Sequence, residues 1–501
     1  MPANISETRE RDRVTRFVSD SNDPSGAAPP RARRPWSRLA GGRIRDHFWL
    51  RVASIVVLSG IGYAFVFADL FTEILGGSRT AYLAAVPVLV LLIVLGYRTR
   101  DEGVGDFESD WIVAALVGVA GLIGIHLFSQ RGPTTAALWH LDLVGAALWI
   151  ACCGIIVSGS RRVFQAWPAG LFMLCTMTPL PYHLAVAQLG GTDFDAALVV
   201  VAMGAFAVFV SGHARPLLAR MAATAATLVL GGAAAAVLAD RVSLPVLVLI
   251  VGNVVPVLCA APLLPLRADS ERPVPATTRA PVYRSTKAML LMVVSALAVL
   301  AMHPMPQAEP EPPTVSADWI GRAGLVDPTP IPFITDFLGP DATLTRYTVP
   351  VAAGPYPAVV DVMTSPSLAR LDDFTDAVWY PSAEPLNYRP AEADLGAPAG
   401  ARVLYNDPDI AISDSDEYWY AVTWLWRTPE AYQRVTVLVN QSRASREPPP
   451  LPRPLSVKNT LIDPTLWLLR HQSTESGEVG RSVVNRAAQV VRAVTHGAGQ
   501  R

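Results

Sequence analysis

The chain is short of charge, of lysine and of cysteine, and each shortage removes a class of explanation. Only 17% of its 501 residues are Asp, Glu, Lys or Arg, against about 25% in an ordinary soluble domain. With 51% apolar residues and a mean hydropathy of +0.32, that deficit excludes a purely soluble protein. The net charge is -1, so no overall field draws in nucleic acid or an acidic polymer. Lysine is confined to Lys287 and Lys458; the preference for arginine is a coding bias that carries no mechanism.

The four cysteines, Cys152, Cys153, Cys175 and Cys259, all lie in apolar runs. No disulfide framework can therefore staple the long polar tail, whose stability must come from packing. No two cysteines have the spacing of a zinc or redox site, and the adjacent Cys152 and Cys153 point about 100° apart on a helix. Also missing are a phosphate-binding Walker loop, a Gly-x-Gly-x-x-Gly turn after a strand, His-Glu-x-x-His and Gly-x-Ser-x-Gly. Nucleotide hydrolysis and zinc chemistry are disfavoured, and neither a cofactor nor a metal is expected.

What is present is apolar sequence in blocks. Nine runs, near 49-70, 81-97, 111-129, 137-158, 163-182, 194-212, 217-238, 243-265 and 286-302, are each long enough to cross a bilayer. Ten arginines precede the first run, among them Arg31, Arg33, Arg34, Arg38, Arg43 and Arg45, which marks it as an uncleaved anchor. With the amino terminus inside, eleven more basic residues fall in cytoplasmic connections, from Arg98 and Arg100 to Arg284 and Lys287. The outer loops hold only Arg79, Arg131 and Arg241. This bias orients the protein, and an odd number of spans carries the tail to the outer face of the cytoplasmic membrane. An eight-span alternative makes 163-182 re-entrant, because Pro168, Pro179 and Pro181 interrupt it; it would place the arginine-rich connection 266-287 outside.

The expected organisation is a disordered basic cytoplasmic arm over 1-48 and a polytopic α-helical membrane bundle of about nine spans over 49-302. A proline-rich linker over 303-314 then lifts the tail off the membrane. An extracytoplasmic α+β domain follows over 315-471, and an amphipathic helix over 472-501 either docks on that domain or lies on lipid, docking being favoured. Strands are expected at Thr343 to Val349, Ala358 to Met363, Glu417 to Trp426 and Tyr432 to Val439, with helices over 367-377 and 462-471.

Ionisable residues in spans face the bundle interior or water. Asp69, His126, His140, Asp142, His183, Asp193 and Asp195 all fall at outer span ends. Cys175 is the one cysteine placed near histidines, so Cys175, His140 and His183 are the candidates for a thiolate nucleophile and its proton-transfer partners. A lone cysteine in a helix more often serves as a small hydrophobe, and histidines at span ends simply reach water. Asn253, followed by Pro256, is expected to hydrogen-bond between helices.

Several short segments resemble the exosortase/archaeosortase family: Ser78-Arg79-Thr80-Ala81-Tyr82 through Val86-Pro87-Val88-Leu89, then Gly159-Ser160-Arg161-Arg162 leading to Trp167-Pro168, then Thr178-Pro179-Leu180-Pro181-Tyr182. The tail resembles the soluble domain often fused to exosortases, through Asp318-Trp319-Ile320-Gly321, Arg346-Tyr347, Ser365-Pro366 and Tyr418-Trp419-Tyr420. The resemblance implies a cysteine transpeptidase or protease that cleaves a carboxyl-terminal sorting signal on exported proteins, which would then be partners beside the lipid bilayer. The family's Cys-Ser-Gly and Asn-x-x-Arg motifs correspond here to Val210-Ser211-Gly212 and Asn253-Val254-Val255-Pro256. Valine and proline replace the nucleophile and the arginine. The alternative implied is a non-catalytic envelope binding or scaffold protein, linked to exopolysaccharide production.

Overall fold

The computed structural model describes residues 40-97, 107-264, 286-303, 311-349, 356-374, 376-382, 386, 388-406, 418-441, 447-470 and 479-499. The arm up to residue 39, the arginine-bearing connection 265-285 and the centre of the proline-rich linker lie outside them. The chain divides into units 1-50 and 51-501, and the account below concerns the second.

Among the described residues fourteen α-helices occupy the apolar half: α1 (Ala40–Gly62), α2 (Ala64–Leu75), α3 (Val86–Gly96), α4 (Phe107–Arg131), α5 (Pro133–Leu138), α6 (Leu141–Ser158), α7 (Ser160–Gln165), α8 (Trp167–Thr176), α9 (Pro179–Leu189), α10 (Asp193–Ser211), α11 (Leu217–Leu238), α12 (Leu244–Leu249), α13 (Val255–Ala260) and α14 (Thr286–Met302). Among the described residues five helical segments are long and apolar enough to cross a membrane: Arg79–Gly96, Ser109–Arg131, Leu141–Ser158, Asp193–Ser211 and Leu217–Leu238. Two bent pairs raise the number to seven, Val52–Gly62 with Ala64–Leu75 at 85° and Trp167–Thr176 with Pro179–Leu189 at 67°. Leu244–Ala260 and Met289–Met302 are shorter apolar helices.

Burial orders these helices. More than half of the Arg79–Gly96 segment is buried, 56%, whereas 6% of Ser109–Arg131 is, so α3 is central and α4 peripheral. The centre is close-packed because small residues let backbones approach: a Cβ on Gly96 would sit 2.1 Å from the Ser211 carbonyl oxygen. Between α12 and α13 the chain makes a π turn over Ile250–Val254, which accommodates Pro256, whose ring fills the space left by Gly204. The amide of Asn253 lies at the carbonyls of Ala84 and Ala85, 3.5 and 3.3 Å in its two orientations, bridging helices as its position in the span leads one to expect.

The carboxyl-terminal half adds helices α15 (Trp319–Arg322), α16 (Ile334–Leu338), α17 (Leu368–Asp372), α18 (Asp463–Arg470) and α19 (Arg481–Gly497). Its strands are β1 (Val326–Pro330), β2 (Thr343–Thr348), β3 (Ala358–Ser365), β4 (Arg389–Pro390), β5 (Arg402–Tyr405), β6 (Trp419–Arg427) and β7 (Tyr432–Asn440). All pair antiparallel in the order β1-β2-β3-β7-β6-β5-β4. Alternation assigns two faces. Val360, Val362, Val422, Trp424, Val435 and Val437 pack under α19 through Val483, Ala487, Val490, Val491 and Val494, so α19 completes the core of the sheet domain. On the other face Met363, Leu344, Phe374 and Trp379 share a cluster with Leu138 and Leu180 of the helical half.

The linker expected to lift the tail off the membrane lies mostly outside the described residues. The sheet domain closes directly on the connections between helices, because its second face is apolar and needs a cover. Helix α17 is shorter than the expected 367-377, since the chain turns at Asp373 to send its carboxyl group toward the bundle.

The docked geometry depends on Gly191. Its φ is +76°, and a Cβ there would lie 2.2 Å from the Asp336 carbonyl oxygen. Gly191→Leu is expected to cost roughly 2 kcal/mol or more through strain and overpacking. In detergent-solubilised protein the melting temperature should fall and proteolysis of the sheet domain should quicken. Gly232→Ala, in open space on α11, should do neither.

Candidate functional site

Three connections of the bundle converge on the sheet domain: 76-79, 132-140 and 190-193. The first enters the 3-10 turn Arg79–Ala84, capped by Ser78, whose hydroxyl oxygen accepts from Thr80 N–H at 2.9 Å. Asp373 reaches this turn from the sheet domain. One carboxylate oxygen accepts from the Ser78 hydroxyl, and the other accepts from Arg79 N–H at 3.1 Å. A carboxylate from 294 residues away thus caps the turn.

Arg79 points into the domain in return. Its Nη1 donates to the carbonyls of Asp336, at 3.2 Å, and Phe337, and its Nη2 donates to the carbonyl of Gly191. The guanidinium fork suits acceptors on several sides. Beside it Arg370 Nη2 pairs with both oxygens of Asp193 at 2.8 Å, and Arg370 Nη1 donates to Leu338 O at 3.3 Å. Arg434 on β7 places Asp373, donating to the carbonyls of Leu371 and Phe374 at 2.8 and 3.0 Å and pairing with Asp372 and Asp376. Ser78, Arg79 and Thr80 are wholly buried, and Asp373 is 8% exposed. Burial pushes the Asp373 carboxyl up to about 6, against the opposing pull of the Ser78 hydroxyl and Arg79 N–H.

His183 lies below this clasp, buried, with its ring 5.1 Å from Phe374 and neither nitrogen hydrogen-bonded. Tyr182 stacks on Tyr82 at 4.0 Å. His140, half-buried with a left-handed φ of 47°, is within electrostatic range of His183. Cys175 is exposed on α8, and among the described residues no hydrogen bond joins its thiol to either histidine. The structure therefore gathers the two histidines and leaves the cysteine on the outside of the bundle. Cys152 and Cys153 are buried in α6. Among the described residues no three His, Cys, Asp or Glu side chains group to hold a metal.

Comparison with protein-family models, with curated proteins and with solved structures gives no match.

The segments that carry the resemblance in the tail lie in the strands or pack against them, Asp318-Trp319-Ile320-Gly321 in and beside α15. Arg346 forms a bidentate pair with its cross-strand neighbour Asp361 at 2.8 and 2.7 Å and takes the carbonyls of Pro449 and Pro450. Tyr380 donates to the same Asp361 at 2.8 Å. Trp319 and Trp426 both donate to the side-chain oxygen of Gln433. A cavity of ≈ 50 Å³ opens at the junction between Thr134, Thr135, Tyr380, Tyr388, Asn459 and Thr460, room for one or two waters.

Chemically the convergence is a lock: Arg79, Asp373 and Arg434 are buried, the first two engaged with groups across the seam, and the half-buried Arg370 and Asp193 pair at its edge. Arg370, Asp336 and Asp373 have no local sequence signal, because their partners lie far along the chain. Arg79 carried one, as an arginine at the mouth of an apolar run on the arginine-poor side.

Arg79→Ala should destabilise the protein by about 3 to 5 kcal/mol by orphaning three buried carbonyls and leaving a cavity, read as a drop in melting temperature. Arg79→Lys should rescue little, since one ammonium cannot reach both sides. Asp373 supplies a pH dependence. Its docked carboxyl holds a proton more tightly than a free one, near 3.8, so its contribution is complete below about 4 and is lost as pH rises through 6. The full excursion is worth about 3 kcal/mol. Melting curves should show the wild type gaining stability over Asp373→Asn as pH falls from 7 to 5.

Proposed function

We propose that this chain is a nine-span protein of the cytoplasmic membrane, amino terminus inside, that holds its sheet domain rigidly at the outer face. There it handles exported proteins or other envelope material by binding. One observation carries the reading. The connections locked to the sheet domain through Ser78, Arg79, Trp139, Gly191 and Asp193 belong to the arginine-poor set that the charge bias assigns outside. At the other end Arg215 donates to the Leu263 carbonyl at 2.9 Å and Arg220 lies over Phe209 at 4.0 Å, in the arginine-bearing set. The two bent pairs and two short apolar helices supply the four crossings beyond the five long ones.

Sorting of exported proteins, as the exosortase resemblance implies, fits this placement. Between catalysis and binding, the geometry favours binding. A thiol nucleophile needs an imidazole or cation at its sulfur, and among the described residues the exposed Cys175 thiol has no hydrogen bond to either histidine. Ser211 at the degenerate motif donates to Val208 O at 2.9 Å and is buried between helices. The sheet domain then acts as a platform whose height and orientation over the bilayer are fixed by the clasp.

The test is a pair of reporters fused after residue 310. Alkaline phosphatase should be active and green fluorescent protein dark. Cytosolic fluorescence with inactive phosphatase would overturn the topology and the function built on it.

A further inference from the structure

Helix α18 is apolar on two sides. The turn that leads into it starts at a box in which Ser456 N–H donates to the Asn459 side chain at 2.7 Å and Asn459 N–H donates back to the Ser456 hydroxyl at 3.3 Å. Thr460, Pro464 and Trp467 are buried, spaced to share one face. That face seats the helix on the protein. Ile462, Leu466 and Leu469 share the opposite face and are exposed, Leu469 by 78% and Leu466 by 42%. Val457 and Leu451, earlier in the chain, are exposed as well. A soluble domain gains nothing from a second apolar stripe turned to water.

The position of the stripe indicates its partner. The segment is tied to the end of the bundle: Trp139 Nε1 donates to the Thr460 carbonyl at 3.2 Å, and Thr134, Thr135, Asn459 and Pro464 line one cavity. Trp139 follows α5, which joins the ends of α4 and α6. Helix α4 has the least buried surface of the long apolar helices, with Ile112, Leu116, Val119, Ile123 and Leu127 exposed. The exposed apolar surface of the bundle therefore reaches the level at which α18 begins. Lys458 and Arg470, both exposed, bracket the stripe with positive charge.

We propose that residues 457-470 lie in the outer headgroup layer of the bilayer, Ile462, Leu466 and Leu469 inserted among the upper acyl carbons and Lys458 and Arg470 reaching anionic headgroups. This rests on the outer-face placement of the sheet domain. It makes α18 a lateral outrigger with one face on the protein and the other on lipid, the arrangement of an interfacial amphipathic helix.

The test uses the full chain in nanodiscs of phosphatidylethanolamine and phosphatidylglycerol doped with a phosphatidylcholine that carries a photoactivatable diazirine near the ester end of one acyl chain. Trypsin releases the segment as Asn459–Arg470. After illumination, lipid adducts on this peptide should exceed those on Ala487–Arg492 of α19 by about tenfold or more, as insertion to a depth of roughly 5 to 10 Å requires. They should fall toward that background in the Leu466→Asn, Leu469→Asn double variant, with adducts on peptide 101-131, which carries α4, unchanged. Background labelling of Asn459–Arg470 alongside strong labelling of 101-131 would overturn the outrigger while leaving the membrane reading standing. Background labelling of both would overturn the membrane reading and the outrigger with it. Undiminished labelling in the double variant would also overturn it, by placing the adducts off the apolar stripe.

Discussion

Arg79 sits at the junction of two folding problems. A guanidinium removed from water is costly unless its donors meet acceptors; the buried Nε of Arg79 finds none, and the acceptors of its two Nη groups belong to the sheet domain and to the loop before α10. The Asp336 and Phe337 carbonyls come from the end of α16, the Gly191 carbonyl from a turn that only glycine can make, and the Asp373 carboxylate caps the backbone just before the arginine. Each half of the molecule leaves polar groups that the other half satisfies. Removing the sheet domain would strand Arg79 at the bundle end, and removing the bundle would strand Asp373 and the face of Phe374 and Trp379.

Most of the remaining architecture serves to bring those groups to one point. Arg434 crosses from the central strand to hold the turn that carries Asp373, and the Arg346–Asp361 pair fixes the register of β2 on β3 while gripping the loop at Pro449 and Pro450. Buried ion pairs of this kind contribute little net stability compared with apolar packing. Their value lies in geometry, since a hydrogen-bonded fork tolerates one arrangement where an apolar contact tolerates several. The seam thus combines an apolar cluster through Leu138, Leu180, Phe337 and Phe374 with a polar clasp that selects one orientation.

Periodicity and charge made much of the fold legible. The strands at Thr343, Ala358, Trp419 and Tyr432 are β-branched and aromatic, and their ladders lie within one or two residues of where alternation puts them. The apolar runs are helical, a structure in which each segment satisfies its own backbone groups. What stayed hidden was contact between segments hundreds of residues apart. Ser78 and Asp373 are 295 positions apart, and neither residue type announces a partner. Proline density around 303-313 suggested a spacer, and composition carries no information on whether a spacer ends in open water or against a surface. The histidines were legible as a pair at one end of the bundle. The exposure of the Cys175 thiol was not, because a one-residue rotation on α8 decides whether that side chain faces inward.

The two amphipathic helices of the tail show where this kind of inference reaches its limit. Helix α19 has the stronger segregation of apolar and charged residues, a pattern that fits docking or lipid alike with docking favoured, and its valines fill the centre of the sheet's own core. Helix α18 is a short, unremarkable stretch in sequence, and it is the one that keeps leucines in the open. Amphipathicity states that a helix needs an apolar partner and says nothing of which partner is nearest. In α19 the sheet face stands within reach and wins. In α18 the protein is already used on the side of Trp467, so the second stripe has to be accounted for by whatever lies beyond the chain. With the clasp holding the domain to the bundle end, that neighbour is set by the same few hydrogen bonds around Arg79. A domain free to swivel on a linker could not present one short helix consistently to one surface, so the lock and the exposed stripe belong to a single mechanical arrangement.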